Sequence, residues 1–342
     1  MILVTGGSGF IGSVLAKTLF ELGFAVRIFD LIDFPDRPQE IGFVQGDIQN
    51  ESDIKKALDG IDIIYHCVAL VPLAKAGKKF WDVNVLGTEK LLNACKQKKI
   101  QHFIHLSSST VFGIPECPIS NKTNCKPVEI YGHTKLAGEK LVLDYIQWGG
   151  RASIIRPRTV LGNFRLGIFD ILFEWVSENR KIYIIGDGEN LFQFIHVQDL
   201  CDAMINASHK MSSGVYNIGT DRYSTLKQDL NSFISAVGST SVICSIPRWI
   251  AIPTLMALDY TKLSPLAPWH YLSYDKPFYF NIENEMKLLD WKPKYSNIEM
   301  FVASYNWHRD YKNALQKNGI AINSTHHMPV KQKILKLLKW IS

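Results

Sequence analysis

Tyr131-Gly132-His133-Thr134-Lys135 sets a phenol and an ammonium four residues apart, on one face of any helix that carries them. An ammonium so placed lowers the phenol's pKa and turns Tyr131 into an acid and base able to work near neutral pH. Upstream, Leu106-Ser107-Ser108-Ser109-Thr110-Val111-Phe112-Gly113 places a run of hydroxyls directly after an apolar segment. One such hydroxyl can hydrogen-bond a substrate oxygen and steady the charge that develops on it, while its neighbours satisfy their own turn. Tyrosine and lysine four apart are common on helices, so the pair gains meaning from the elements that position it.

Those elements begin at the first residues. Leu3-Val4-Thr5-Gly6-Gly7-Ser8-Gly9-Phe10-Ile11-Gly12 is a buried strand running into a glycine-rich turn, and 13–22 follows with helical apolar spacing. This is the pattern of a dinucleotide cradle. Gly6 allows the tight turn, Gly9 lets the backbone approach a pyrophosphate, and Gly12 lets helix and strand pack closely. The helix N-terminus turns free N–H groups and the positive end of its dipole toward the phosphates. A second strand, 24–29, ends at Asp30, about 20 residues after the glycines, where a carboxylate takes both ribose hydroxyls. Asp30 would repel a 2′-phosphate, so the expected cofactor is NAD, with NADP disfavoured. Arg37 is the nearby cation that could reverse this preference.

Beyond Asp30, strands at 42–47, 62–67, 101–106 and 152–156 alternate with helices at 51–58, 79–98 and 131–148. Strands apolar on both faces and separated by helices imply a doubly wound parallel sheet of Rossmann type, with ligands at the carboxyl ends of the strands. Asp47 follows the third strand and can accept from an adenine amino group or cap a helix; Asn84 and Gly87 open the next long helix. The expected division is an NAD-binding domain over 1–162 with returns near 191–219. A smaller C-terminal mixed α/β substrate lobe takes 163–190 and 220–312, and a basic tail follows over 313–342.

The chain has 342 residues, 46% apolar and 20% charged, with a net charge of +6. That length supports a substantial core. The tail contributes Lys331, Lys333, Lys336 and Lys339 with no acid after Asp310. The imbalance suits an anionic ligand or a membrane surface, and no basic stripe interleaved with aromatics suggests nucleic acid. Six cysteines without zinc or CxxC spacing read as reduced thiols in a cytoplasmic protein, and no metal site is expected. The chain opens on a strand, which suggests no signal or transit peptide, and no apolar run reaches roughly 18 residues, so no transmembrane helix is expected. Residues 247–258 are strongly apolar and read as a core helix of the small lobe, with lipid contact as the alternative. Residues 334–341 form a short basic amphipathic helix suited to packing, to dimer contact or to weak membrane binding.

TGGSGFIG at 5–12, Asp30, Asp47-Ile48, NVLGT at 84–88, SSSTVFG at 107–113, YGHTK at 131–135 and RPRTVLG at 156–162 together resemble the extended short-chain dehydrogenase/reductase superfamily. The resemblance is to its NAD-dependent epimerase/dehydratase and 3β-hydroxysteroid-dehydrogenase-like branches, and covers about residues 1–310. It implies Ser108, Tyr131 and Lys135 as catalytic residues. The implied cofactor contacts are Gly6, Gly9, Phe10, Ile11, Gly12, Asp30, Asp47, Ile48, Asn84, Tyr131, Lys135 and Arg156, and the substrate contacts are Ser108, Ser109, Thr110, Arg158, Asn163 and Asn190. It also implies a homodimer built on the tyrosine-bearing helix and its neighbour, with Leu136, Leu141 and Val142 suited to the contact.

The departures from the family pattern bear on substrate. Sugar-nucleotide dehydratases carry Asp-Glu after the catalytic hydroxyl, where this chain has Ser109-Thr110, so dehydration is disfavoured. Phe192 stands where many sugar-nucleotide epimerases have a diphosphate-binding arginine, leaving Arg158, Arg165 and Lys276 as phosphate ligands. The leading expectation is an NAD-dependent epimerase of a nucleotide- or polyprenyl-diphosphate-linked sugar, working by transient oxidation to a keto sugar. The alternative is a 3β-hydroxysteroid-dehydrogenase-like oxidoreductase of a lipophilic alcohol or ketone. A binding module that merely kept the fold would have no need of a tuned phenol.

Overall fold

The computed structural model describes residues 1–318 except 34–35, 75, 166, 212, 262–263, 265 and 267, with the backbone alone for 73 and 314–318. The chain begins β1 (Ile2–Thr5), α1 (Phe10–Glu21), β2 (Val26–Asp30), β3 (Gly42–Gln45), α2 (Glu51–Ala57) and β4 (Ile63–His66). Lys79–Trp81 is a short helix, α3, followed by a π-helical turn at Asp82–Leu86 and then α4 (Gly87–Lys96). Next come β5 (His102–Leu106), α5 (Ile130–Gln147), β6 (Ala152–Pro157) and β7 (Thr159–Leu161). The remainder supplies α6 (Ile168–Ser177), β8 (Ile182–Ile185), β9 (Phe194–His196), α7 (Val197–Lys210), β10 (Gly214–Ile218) and α8 (Leu226–Ala236). It ends with β11 (Ile243–Ile246), α9 (Arg248–Tyr260), α10 (Pro268–Ser273), α11 (Glu283–Leu289) and α12 (Asn297–Asn318).

Seven strands form one parallel sheet in the order β10-β6-β5-β4-β1-β2-β3. The reason is visible in composition: every residue of β1, β5 and β6 is buried, so these strands need cover on both faces. The order reverses at β1 and β4, and the crevice at that switch point is where a parallel sheet holds its ligand. This is the Rossmann-type architecture expected.

Three elements differ from expectation. α1 begins at Phe10, not at residue 13, so Gly12 lies inside its first turn; a Cβ there would sit 2.1 Å from the Gly6 carbonyl oxygen. The long helix expected over 79–98 is interrupted by the π turn, which turns Asn84 inward. Of the two expected returns to the sheet, β10 joins β6, but β9 pairs with β7 as a separate parallel ribbon, while α7 covers the sheet beside α1.

The lobe beyond residue 162 shares the core of the sheet domain. Phe169, Phe173, Phe194, Phe233 and Phe301 pack ring against ring, and this cluster is continuous with Val4, Leu15 and Leu19 beneath α1. Helix α12 crosses the tail boundary expected at 312, and the amphipathic segment 334–341 lies outside the described residues. The segment 247–258 is not a core helix. α9 buries only Ala251 and leaves Trp249 76% and Tyr260 92% exposed, with Ile250 and Met256 also exposed. Apolar composition favours burial only where another element covers the helix, and most of the apolar side chains of α9 are left in solvent.

Candidate active site

A cavity of about 510 Å³ opens along the carboxyl ends of the sheet strands. At one end it is lined by Gly6, Gly9, Phe10, Ile11 and Gly12, together with Asp30, Asp47 and Ile48. Gly6 adopts φ +68° with its α-carbon against β4, where any Cβ would come 2.8 Å from the Val68 nitrogen. Helix α1 has no side-chain cap, so its first-turn amides face the cavity without a partner of that kind. That is an anion-binding cradle. Asp30 accepts from the Ser8 amide at 3.0 Å and the Leu31 amide at 2.7 Å, which fixes the carboxylate at the rim and offsets the upward push of burial on its pKa. Asp47 accepts from the Gln49 amide, while Asn50, not Asp47, caps α2. Arg37 does not turn toward the site: its guanidinium is forked onto Asp33 at 2.8 Å and bonded to the Ile41 carbonyl. These residues fit NAD and leave Asp30 free to exclude a 2′-phosphate.

At the centre of the cavity stand Ser108, Tyr131 and Lys135. Glu129 caps α5 by accepting from the Tyr131 and Gly132 amides at 2.8 and 2.7 Å, which sets the helix start and so the phenol. The Ser108 hydroxyl stands beside the phenol and draws its pKa down. Lys135, one turn on, donates to the Leu106 carbonyl at 2.5 Å at the end of β5. The serine run separates by partner. Ser107 donates to Glu139, Ser108 meets Tyr131, and Ser109 accepts from Arg158 at 2.9 Å. Ser108 also accepts from the Thr110 amide at 3.2 Å and hydroxyl at 3.0 Å, so the hydroxyl beside the phenol is itself the turn's cap.

The electrostatics differ from the sequence reading in one respect. Burial pushes Tyr131 up to about 12, against downward contributions from Ser108 and from the Arg165 charge. The lysine is itself pushed down to about 8 by burial, with its ammonium turned to the Leu106 carbonyl.

Four expected contacts do not reach the cavity. Asn84 spends its amide on the Leu70 N–H and carbonyl, at 2.7 and 3.1 Å, and on Thr134. Arg156 is forked onto Glu139 at 2.8 and 2.6 Å, a buried tie between β6 and α5. Asn190 holds the carbonyls of Tyr274 and Lys276, and Asn163 is exposed. Lys276 is also absent from the lining. In their place β7 supplies Thr159 and the lobe supplies Arg165, Trp269, His270 and Tyr274. Of these only Arg165 stood among the sequence-based phosphate ligands; the aromatic spacing of Trp269, His270 and Tyr274 was the one available hint of the others.

The match to the NAD dependent epimerase/dehydratase family spans residues 2–219. The chain belongs to this family. It is 40% identical over 343 residues to the uncharacterized protein y4nG of Sinorhizobium fredii (strain NBRC 101917 / NGR234), covering 99% of this chain and 85% of that one. It is 27% identical over 312 residues to the Mus musculus sterol-4-alpha-carboxylate 3-dehydrogenase, decarboxylating, covering 85% and 86%. Among solved structures, UDP-glucuronic acid 4-epimerase from Bacillus cereus in complex with NAD superposes with a TM-score of 0.74 at 25% identity, covering 90% of this chain and 98% of that one. The protein is thus an NAD-dependent enzyme of the extended short-chain dehydrogenase/reductase type, an epimerase or dehydrogenase, and its cofactor is NAD.

Proposed function

We propose that this family member is a sugar epimerase that oxidises a hydroxyl of a nucleotide- or polyprenyl-diphosphate-linked sugar and re-reduces the keto sugar on its other face. The observation that carries the reading is the cavity wall around Ser108 and Tyr131: Thr110, Thr159, Tyr274, the buried guanidinium of Arg158 and the half-buried one of Arg165 suit a polar, anionic substrate more than a sterol. NAD supplies the hydride acceptor and then the donor. The positive charge of oxidised NAD would offset the burial that keeps the phenol protonated, so that Tyr131 takes the hydroxyl proton as the C–H hydride departs and returns a proton to that oxygen after the ketone has turned. Ser108 hydrogen-bonds the same oxygen through both half-reactions. Lys135 lies one helical turn from the phenol and is the residue that would hold the nicotinamide ribose. Ser109 and Thr110 stand where a dehydratase needs a general acid and a base, which supports oxidation and re-reduction without loss of water.

The second reading is a dehydrogenase of a lipophilic alcohol, favoured by the exposed apolar side chains of α9. Purified protein incubated with UDP-sugars and polyprenyl-diphosphate sugars, without added cofactor, separates the two. Epimer formed on tightly held NAD supports the first; turnover only with added NAD(H) and a lipophilic alcohol or ketone replaces it with the second.

The six cysteines are all free thiols, consistent with a cytoplasmic setting. Among the described residues no helix is long and apolar enough to cross a membrane. For a homodimer, Val142 is unsuited, being wholly buried in its own core, whereas Leu86, Ile130 and Leu143 around α4 and α5 are exposed and support a contact with a second copy.

A further inference from the structure

Arg158 heads the largest fully buried side chains, at 1% exposure, and it stands at the cavity wall. Its Nε donates to the Gln193 carbonyl at 3.1 Å and its Nη1 to the Ser109 hydroxyl, while Nη2 is buried without a partner. Three rings surround it: the guanidinium carbon lies 3.9 Å from the centre of Phe278, 4.9 Å from Phe192 and 5.8 Å from Phe280. Among the described residues no carboxylate pairs with it. Removing a cation from water is costly unless an anion or a full set of hydrogen bonds compensates, and aromatic faces replace only part of that loss.

The cavity itself does not offer the missing charge. Its lining contains two acids, Asp30 and Asp47, which follow β2 and β3. Four strand spacings separate β6 from β2, about 19 Å at the usual spacing. The second guanidinium of the wall, Arg165, is half-buried, but its Nε is also buried without a partner, and Tyr274 is the phenol whose pKa both cations pull down against burial. The cluster is therefore short of negative charge.

Position says which anion fits. Ser109 is the chain neighbour of Ser108, whose hydroxyl meets the catalytic phenol. An oxyanion held by Arg158 and Ser109 is therefore attached close to the carbon being oxidised, whereas a carrier diphosphate lies across the sugar ring from it. We propose that Arg158, with Ser109, binds a carboxylate on the reacting ring, and that the substrate class is a uronic acid sugar. The proposal rests on the epimerase reading and specifies its substrate.

The test uses NAD-loaded protein and compares the thermal midpoint in D-glucuronate, D-glucose and inorganic pyrophosphate, each at millimolar concentration. The expected result is a rise with glucuronate that is absent with glucose and lost in Arg158→Met, with NAD affinity retained in the variant as proof of folding. Arg158→Lys, which keeps the charge but not the fork, is expected to retain part of the rise and covers the case in which Arg158→Met does not fold. No rise with glucuronate in the wild type, or a rise with pyrophosphate alone, overturns the proposal. A kinetic arm compares kcat/KM for UDP-glucuronic acid and UDP-glucose: the proposal expects a preference of about 100-fold for the acid, collapsing toward unity in Arg158→Met. Equal use of both sugars defeats the subsite and leaves the epimerase reading standing; an Arg158-dependent glucuronate rise with no epimer from either sugar does the reverse.

Discussion

Arg156 and Arg158 lie two residues apart, at and just beyond the end of β6, and both are buried, yet they have opposite surroundings. Arg156 is matched by Glu139 in a two-point fork, with the Phe112 ring against its other face. Arg158 has three rings around it and, among the described residues, no carboxylate. A buried cation with its own counter-ion is part of the frame; here it ties β6 to the helix that carries Tyr131 and Lys135. A buried cation without one is a charge the fold keeps ready for something that arrives later. The same residue type, on the same strand end, is structural in one case and oriented to a ligand in the other, and only the partner distinguishes them.

The largest effect expected from this contrast is on stability. Arg156→Met leaves Glu139 buried and unpaired and is expected to cost about 3–5 kcal/mol in urea unfolding, whereas Arg158→Met is expected to stay within about 1 kcal/mol of the parent. Equal losses would break the comparison. A smaller effect follows from the cycle: Glu139→Leu combined with Arg156→Met is expected to be about 2 kcal/mol less damaging than the two single changes added together. Strict additivity would show that the fork is not the unit it looks.

A separate effect, read against pH, sharpens the comparison with groups that avoid buried charge altogether. Burial pushes His66 down to about 3 and His102 and His196 to about 4, and drives His105 well below its usual value. Each is neutral in the folded chain and protonated in the unfolded chain below about pH 6.5, so stability is full above that pH and is lost as pH falls from there toward 4. Each contributes about 1.4 kcal/mol per pH unit within that window. Unfolding free energy measured from pH 7 to 4.5 is expected to fall accordingly, and His102→Gln to reduce the slope by one proton; a flat profile would mean that these rings take up protons in the fold.

What was legible beforehand follows the range of the interaction. The cradle and the Tyr131–Lys135 pair are defined by spacing within a few residues, and the chain displays them directly. Asn84 and Arg156 were misread because a polar residue near a strand end looks the same whether it faces a ligand or a distant segment. Asn84 finds Leu70 and Thr134, and Arg156 finds Glu139, 17 residues away across a helix. Trp269, His270 and Tyr274 reach the cavity through long-range ties that no local pattern announces: the bridge between Phe192 and Phe278, and the Asn190 amide on the Tyr274 carbonyl. The exposure of α9 was hidden for the same reason, since what fails to cover a helix is not written in that helix.

The central claim, that hydride leaves and returns on one held cofactor, is tested most directly with a sugar deuterated at the reacting carbon. NAD-loaded protein is supplied with UDP-[4-²H]glucuronic acid in unlabelled water without added NAD, and the product is read by mass spectrometry. The account predicts a 4-epimer that keeps its deuterium, with no NADH released. Deuterium appearing in free NADH, with a ketone or its decay product as the only sugar formed, would contradict it and mark the enzyme as a net dehydrogenase.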